Sequence, residues 1–464
     1  MRYLAFIFLF LLCLARGQVK SQTVQWSDEL EFRGALPEIL GESNSKTVTY
    51  RTIGDKRKSY IFDVFTERLK HKSNIQVNFE DNENLVSQFL ENDLVYLFYS
   101  FKSDNLNKEL RLQILNLEKK SISKPKKICL LNGEDNQIRI DTVSNKFWVF
   151  NHLQGSLSLN YNVLNDSGEV LVNSSKLLSD EGLSLKQLYL SEKGTLLQFE
   201  KSGSAFQFYL LDSKLNFRQL ETAMSDSFYY QRGIISFDKI NNKFDYVTLA
   251  GEGNSNRLSA LFYASFALDS IFETQITYHK FPAKLLRDYK GFGSSQNGLK
   301  DFFITSLIPR SDGGFVMLAE NYEYELEEFT DVTIYGIVNT YTRKKYRYGD
   351  LLLISINNKR KIDFHDLIKK DQLTFEDNGY FSSVTLLILN SKLIILYNDT
   401  GRRNWNLIMS SLNTEGEMHG EILINGNDFK GRLIPKRARQ VSGNQIIVPA
   451  VDRSDDFLFC KITF

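Results

Sequence analysis

Dense apolar runs recur along this chain, each entered through a turn and followed, across a polar gap, by a second apolar run. The first runs begin near Thr47, Leu94, Phe147, Thr195, Phe244, Phe315, Leu393 and Gln445, at intervals of 47, 53, 48, 49, 71, 78 and 52 residues. Intervals of that size belong to a propeller blade or a solenoid turn. Several first runs are nearly continuous apolar: LVYLFYSF at 94–101, FVMLA at 315–319, LIILY at 393–397. Such a strand is buried on both faces, as the inner strands of a blade are between neighbouring sheets.

Four strands can be read in most repeats. In the clearest, IRIDTV (138–143) turns at Ser144-Asn145-Lys146 into FWVFNHL (147–153). SLSLNYNVL (156–164) then turns through Asn165-Asp166-Ser167-Gly168 into EVLVNSS (169–175). Asn and Gly tolerate the positive φ that tight hairpins demand. Helical periodicity is confined to a short stretch at 283–289.

The two ends look complementary. Segments 433–441, 445–451 and 457–464 supply three strands of the last repeat, and 24–32 has no partner in the first repeat, which starts near Leu36. The expected fold is an all-β propeller over 24–464, with eight four-stranded blades and its last blade completed by the N-terminal strand. Seven blades would follow if 36–79 were irregular. A solenoid fits less well, since it needs distinct capping repeats.

Composition adds limits. Residues 1–17 read as a signal peptide, with Arg2 ahead of an apolar run at 3–15 and small residues at Ala15 and Gly17. Cys13 raises a lipid-anchored alternative, against which Leu12 stands where a small residue is normally required. No later stretch is apolar enough for a membrane span. Without 1–17 the chain carries 55 basic and 56 acidic residues, so nothing marks it for nucleic acid or an anionic membrane. Cys129 and Cys460 lie far apart inside apolar strands and read as buried hydrophobes. Sequons at Asn165, Asn173 and Asn398 matter only in a glycosylating host, and the Lys-, Asn-, Ile- and Ser-rich composition points instead to a bacterium. Localisation is therefore expected to be periplasmic or extracellular.

The two long intervals mark insertions. One is a Gly/Ser-containing basic loop at 282–300. The other is a hairpin at about 320–349, turning near Tyr335-Gly336. Its first arm alternates Tyr322 and Tyr324 with Glu323, Glu325 and Glu327; its second carries Arg343, Lys344, Lys345, Tyr346, Arg347 and Tyr348. Opposed acidic and basic arms favour cross-strand charge and aromatic pairs. Tyr322, Tyr324, Glu325, Lys344, Tyr346, Arg347 and Tyr348 are the candidate partner-binding residues, because exposed Tyr and Arg dominate binding hot spots. The competing reading is a hairpin folded over its own blade.

Enzyme signatures are weak. His71, His152, His279, His365 and His419 form no paired metal-ligand motif. Ser311-Asp312-Gly313-Gly314 reads as a hairpin turn more readily than as a sialidase-type Asp turn. Asp312, Asn398 and Asp399 are candidate ligand residues in face loops, but no carboxylate pair can be assigned acid and base roles. Trp26, Trp148 and Trp405 are too few for the tryptophan-per-blade pattern of eight-bladed quinone-dependent dehydrogenases. No catalytic residue, metal or cofactor is indicated.

IPRSDGGFVMLAE (308–320), YGDLLLISI (348–356), GYFSS (379–383) and LYND (396–399) resemble a family of exported β-repeat proteins common in Bacteroidetes-type bacteria. The resemblance covers about a hundred residues and implies β-repeat structure and export to the envelope. That family has no assigned activity to carry over. The expectation is thus an exported, non-enzymatic propeller binding a protein or envelope component. The alternative is a carbohydrate-binding or carbohydrate-active propeller.

Overall fold

The computed structural model describes residues 22–30, 35–53, 59–103, 107–132, 136–201, 206–220, 228–253, 257–268, 274–289, 298–332, 338–399, 405–428, 431–452 and 454–464. The signal-peptide segment, Cys13 and the hairpin turn at Tyr335-Gly336 lie outside them. Among the described residues, eight antiparallel sheets follow one another, each built from four main strands, in chain order in all but the last. They are the blades of a β-propeller.

The recurring turn sets the period. The first two strands of the first three blades meet at Asn44-Ser45 (φ 48° and 60°), Asn92-Asp93 (49° and 62°) and Ser144-Asn145 (51° and 58°). Two successive positive-φ residues make the type I′ turn, whose twist matches that of the flanking strands. The second strand of each blade then begins within one residue of the position read from the sequence: Lys46, Leu94, Lys146, Gly194, Lys243, Phe315, Lys392 and Gln445.

Two compact units divide the chain, Asn78–Gly379 and a second made of 1–55, 59–77 and Tyr380–Phe464. The first holds blades two to six. Its cores form between faces of consecutive sheets. Phe98 and Leu112 meet Phe147 and Val149 between blades two and three. Phe150 and Tyr161 meet Phe199 and Tyr209 between three and four. Phe208 meets Phe244 and Tyr246 between four and five. Leu261 meets Phe315 and Leu352 between five and six, where Leu285 of the helix Ala283–Asp288 also packs. Each fully buried Phe contributes about 2–3 kcal/mol. No helix among the described residues is long and apolar enough to cross a membrane.

The other unit holds blades one, seven and eight. Segment 36–79 forms four regular strands, Glu38–Ser43, Lys46–Ile53, Ser59–Phe65 and His71–Asn78, which removes the seven-blade alternative. Blade eight takes Thr23–Trp26 as its outer strand, in register from Thr23↔Thr463 to Trp26↔Cys460. Gln25 and Val24 thereby cover the edge of Phe457–Thr463, which would otherwise leave its backbone groups unpaired.

Side chains stitch first strands to their neighbours. Gln137 donates to Ser184 Oγ at 2.7 Å and accepts from Leu185 N–H at 2.6 Å. Gln440 accepts from Ile388 N–H and donates to Ile388 O, both at 3.0 Å. Arg439 reaches the Ile39 carbonyl at 3.2 Å. These bonds satisfy backbone groups that no sheet ladder reaches.

Candidate functional site: the ribbon of blade six

The second and third strands of blade six, Phe315–Val332 and Val338–Ile356, are 18 and 19 residues long. They pair without interruption from Phe315↔Ile356 to Val332↔Val338, apart from one shift between Glu320 and Tyr322. The inserted segment is therefore the outward continuation of two blade strands, and the bulge at its root raises the local twist. Below the bulge both strands are almost wholly buried; beyond it side chains alternate between two accessible faces.

One face is aromatic at its root. Tyr322 stands over Tyr348 with ring centroids 4.7 Å apart, and Tyr324 over Tyr346 at 5.3 Å. The opposite face carries charge pairs, Glu325 to Lys345 at 2.9 Å and Glu327 to Arg343 at 2.7 Å. Two details differ from the simple arm-to-arm match. Arg347, opposite Glu323 in register, forks onto Asp371 with both bonds at 2.7 Å. Lys344 stands opposite Leu326.

A short strand missed in the sequence, Gln372–Phe375, pairs with Lys345–Tyr348 and covers the outer edge of the basic arm there. The loop after it closes on the tyrosines. Tyr346 donates its hydroxyl to Asn378 at 3.0 Å, and a Cβ on Gly379 would lie 2.7 Å from the Tyr348 ring. The positive φ of Gly379, 64°, adds a second reason for glycine there. Burial pushes the Tyr348 phenol well above its usual range. Burial, then the neighbouring tyrosines, raises that of Tyr322.

The candidate residues therefore separate. Tyr322, Tyr346, Arg347 and Tyr348 build the packed root, while Tyr324, Glu325 and Lys344 face solvent farther out. Tyr324 is 46 % exposed and Tyr346 only 7 %. Leu326, Phe329, Val338, Tyr341, Leu373 and Phe375 join them as exposed apolar residues. Arg343 lies over the Phe375 ring at 4.1 Å. With Phe303, whose ring meets Tyr322, this one region holds eight of the 21 exposed large hydrophobics among the described residues. Clustering of that order marks an interaction surface more than scattered exposure does. No described strand pairs with the outer edge of the acidic arm beyond Tyr322.

Beneath the ribbon sits a buried ion pair. Lys370 Nζ lies 2.6 Å from Glu320, with both side chains almost wholly enclosed, and also donates to Gln372 Oε1 at 2.9 Å. Burial pushes the Lys370 ammonium below its ordinary value against the pull of Glu320.

The face-loop candidates are dispersed. Asp312 forks onto Arg310 and accepts from Gly314 N–H, so it caps its own hairpin turn, at the rim of a cavity of about 200 Å³. Beside that cavity Lys243 bridges both oxygens of the buried Asp245 at 2.9 Å. Asn398 is buried in the other unit and donates to the Phe381 and Leu433 carbonyls, both at 2.8 Å. Asp399 ends its strand exposed to solvent. His152 is enclosed between the Ser158 and Leu183 carbonyls, and His71 lies 3.1 Å from Asp63. Cys129 and Cys460 are both free thiols.

A larger cleft, of about 590 Å³, opens between first strands of blades three, four and five. Its residues come from three separate blades, so no local motif announces it.

No model of a known protein family matches the sequence, and no curated protein matches it either. Among solved structures the chain is similar to the β-propeller domain of the Trilobed protease from Pyrococcus furiosus, with 11 % identity, 82 % of this chain and 95 % of that one covered, and a TM-score of 0.36. It is similar to the BP39L lectin from Burkholderia pseudomallei, with 10 % identity, 84 % and 99 % coverage and a TM-score of 0.38. It is also similar to the polysaccharide lyase Uly1, with 7 % identity, 97 % and 94 % coverage and a TM-score of 0.41. No activity transfers across likenesses of this order.

Proposed function

We propose that this protein is an exported, non-enzymatic β-propeller that captures a partner protein of the cell envelope through the ribbon of blade six. The carrying observation is the cluster of exposed aromatic and aliphatic side chains around Tyr324, Phe329 and Tyr341, set beside an open strand edge. Aromatic anchors supply binding energy at low entropic cost, and an open edge accepts an extended peptide by strand addition. Glu323 and Glu328, which lie on that arm outside its Glu325–Lys345 and Glu327–Arg343 pairs, favour a basic peptide. Residues 1–17 direct export in this reading, which fractionation of cells making the full chain checks.

The test shortens the ribbon by replacing residues 326–344 with Asn-Gly. Glu325 and Lys345 are paired in register, so a two-residue turn can join them without disturbing the root. Crosslinked pull-down from the native envelope should recover a partner with the intact protein and lose it with the shortened form, at an unchanged melting temperature. Equal recovery from both forms overturns the proposal.

A further inference from the structure

The cleft between blades three, four and five has the make-up of a ligand site. Its volume of about 590 Å³ is within the range of small-molecule sites. It forms where the first strand of blade five breaks into Phe228–Tyr230 and Ile234–Asp238. The backbone of Gln231, in that break, is held on both sides. Its N–H donates to the Leu249 carbonyl at 3.0 Å, and its carbonyl accepts the Thr248 hydroxyl at 2.6 Å. Gly233, two residues on, accepts from Gln187 Nε2, and a Cβ there would collide with Val247 O and the Tyr246 ring. The break is therefore a built feature.

Two buried amides line this cleft, and the acceptor of each is unmet within the protein. Gln231 is 8 % exposed and Gln198 1 % exposed, both line the cavity, and neither Oε1 has a hydrogen-bond partner. Gln198 is fixed by its other end, which donates to the Tyr246 hydroxyl at 3.2 Å. Buried polar groups are normally satisfied, so a pair of open acceptors on one cavity favours a ligand that carries hydrogen-bond donors.

Charge and shape narrow the class. Arg139 and Arg232 stand at the mouth, both exposed, while Lys186 is neutralised by Glu200 at 3.0 Å. Two guanidiniums at one mouth suit a planar anion such as a carboxylate. Tyr229, 43 % exposed, and Phe206 offer aromatic faces. Hydroxyl donors for the two amides, a carboxylate for the arginines and a ring to lie on an aromatic face together describe one chemistry.

We infer that the cleft binds an acidic saccharide, a short run of sugar rings bearing carboxylates. The site lies apart from the ribbon and does not depend on the ribbon's role. Calorimetric titration of the full chain with hexuronate tetrasaccharides, namely oligogalacturonate, oligomannuronate and a hyaluronan fragment, tests it beside neutral cellotetraose and tetraglutamate. At least one uronate should bind, cellotetraose and tetraglutamate should not, and the ribbon-shortened form should bind equally well. Arg139→Gln with Arg232→Gln should weaken binding about tenfold or more, as loss of charge-assisted contacts does. Gln231→Leu should weaken it too, and a melting curve confirms that this variant folds. Should Gln231→Leu fail to fold, the exposed arginine pair still decides. Binding by none of the uronates overturns the inference. So does equal binding of tetraglutamate, which would make the cleft an acidic-peptide site, or uronate binding indifferent to the arginines.

Discussion

Lys370 and Glu320 offer the sharpest test of how the ribbon root is held. Both side chains are nearly excluded from solvent, at 2 % and 3 % exposure, and their charged atoms are 2.6 Å apart. Lys370→Met leaves the Glu320 carboxylate buried beside an apolar side chain, which should cost about 3–5 kcal/mol. Glu320→Leu alone strands the ammonium at a comparable cost. The double variant removes both charges, and the desolvation they required, and should come within about 1 kcal/mol of the parent or exceed it. Urea unfolding followed by circular dichroism measures the cycle, and hydrogen exchange at Lys345–Tyr348 places the effect. The pair also has a pH signature. Because burial depresses the folded-state pKa of Lys370, the unfolded chain binds more protons in the window between that depressed value and the ordinary lysine value near 10.5. This site's contribution to stability therefore rises as pH climbs through that window. The parent should gain on Lys370→Met over the same range, a difference that cancels the tyrosines titrating there. A double variant as damaged as either single, or singles costing under about 1 kcal/mol, would show that the pair is solvated and refute the reasoning.

Four further outcomes are expected. Asn398→Ala should destabilise the unit holding blades seven and eight by about 2–4 kcal/mol in thermal unfolding, since two buried carbonyls lose their donor. The same burial predicts that mass spectrometry of protein made in a glycosylating host finds no glycan at this sequon. Burial pushes the Cys129 thiol up to about 11 against the pull of Lys127, well above the ordinary thiol range. Disulfide-exchange reagents should thus modify it about a hundredfold more slowly than an unfolded-chain cysteine near neutral pH. Burial lowers the His279 pKa, so the unfolded chain takes up a proton that the folded one resists; stability should fall as pH drops below the ordinary value of 6.5. His279→Gln should flatten that slope in melting curves taken across the range.

What could be read from the residues alone follows from how far each signal reaches along the chain. The second strands stood out because neighbouring sheets bury both their faces: 94–102 reads as six consecutive buried residues, and so does 392–399. The turn pairs before them are equally local. Thr23–Trp26 was found by elimination, as the strand left over once the last blade came up one short. The arms of the ribbon announced themselves through alternating Tyr and Glu against Lys and Arg. Gln372–Phe375 did not, because four residues of mixed polarity carry no period. The Lys370–Glu320 pair joins residues 50 apart, and both sit among charged neighbours that look like surface. Asn398 looked like a turn residue because Asn-Asp opens turns, yet its amide points inward to two carbonyls. The cleft at Gln198 and Gln231 depends on a strand break whose residues, Gln-Arg-Gly, resemble any loop.

The partition of strands between the two compact units has a consequence for the order of assembly. Blades two to six lie in one continuous stretch, Asn78–Gly379, and every ladder within them joins strands that are adjacent in the chain or separated by one short strand. Such low-contact-order pairing forms quickly and can proceed while the chain is still emerging. The unit of blades one, seven and eight is different: Thr23 waits for Thr463, and the carbonyl of Ile39 waits for Arg439. Blade eight cannot be completed until Phe457–Thr463 is made, whatever the speed of the middle. The early product of synthesis is then a five-sheet body ahead of an unfinished end. Its exposed strand edges are the point at which chaperones, proteases or a second copy of the chain would intervene.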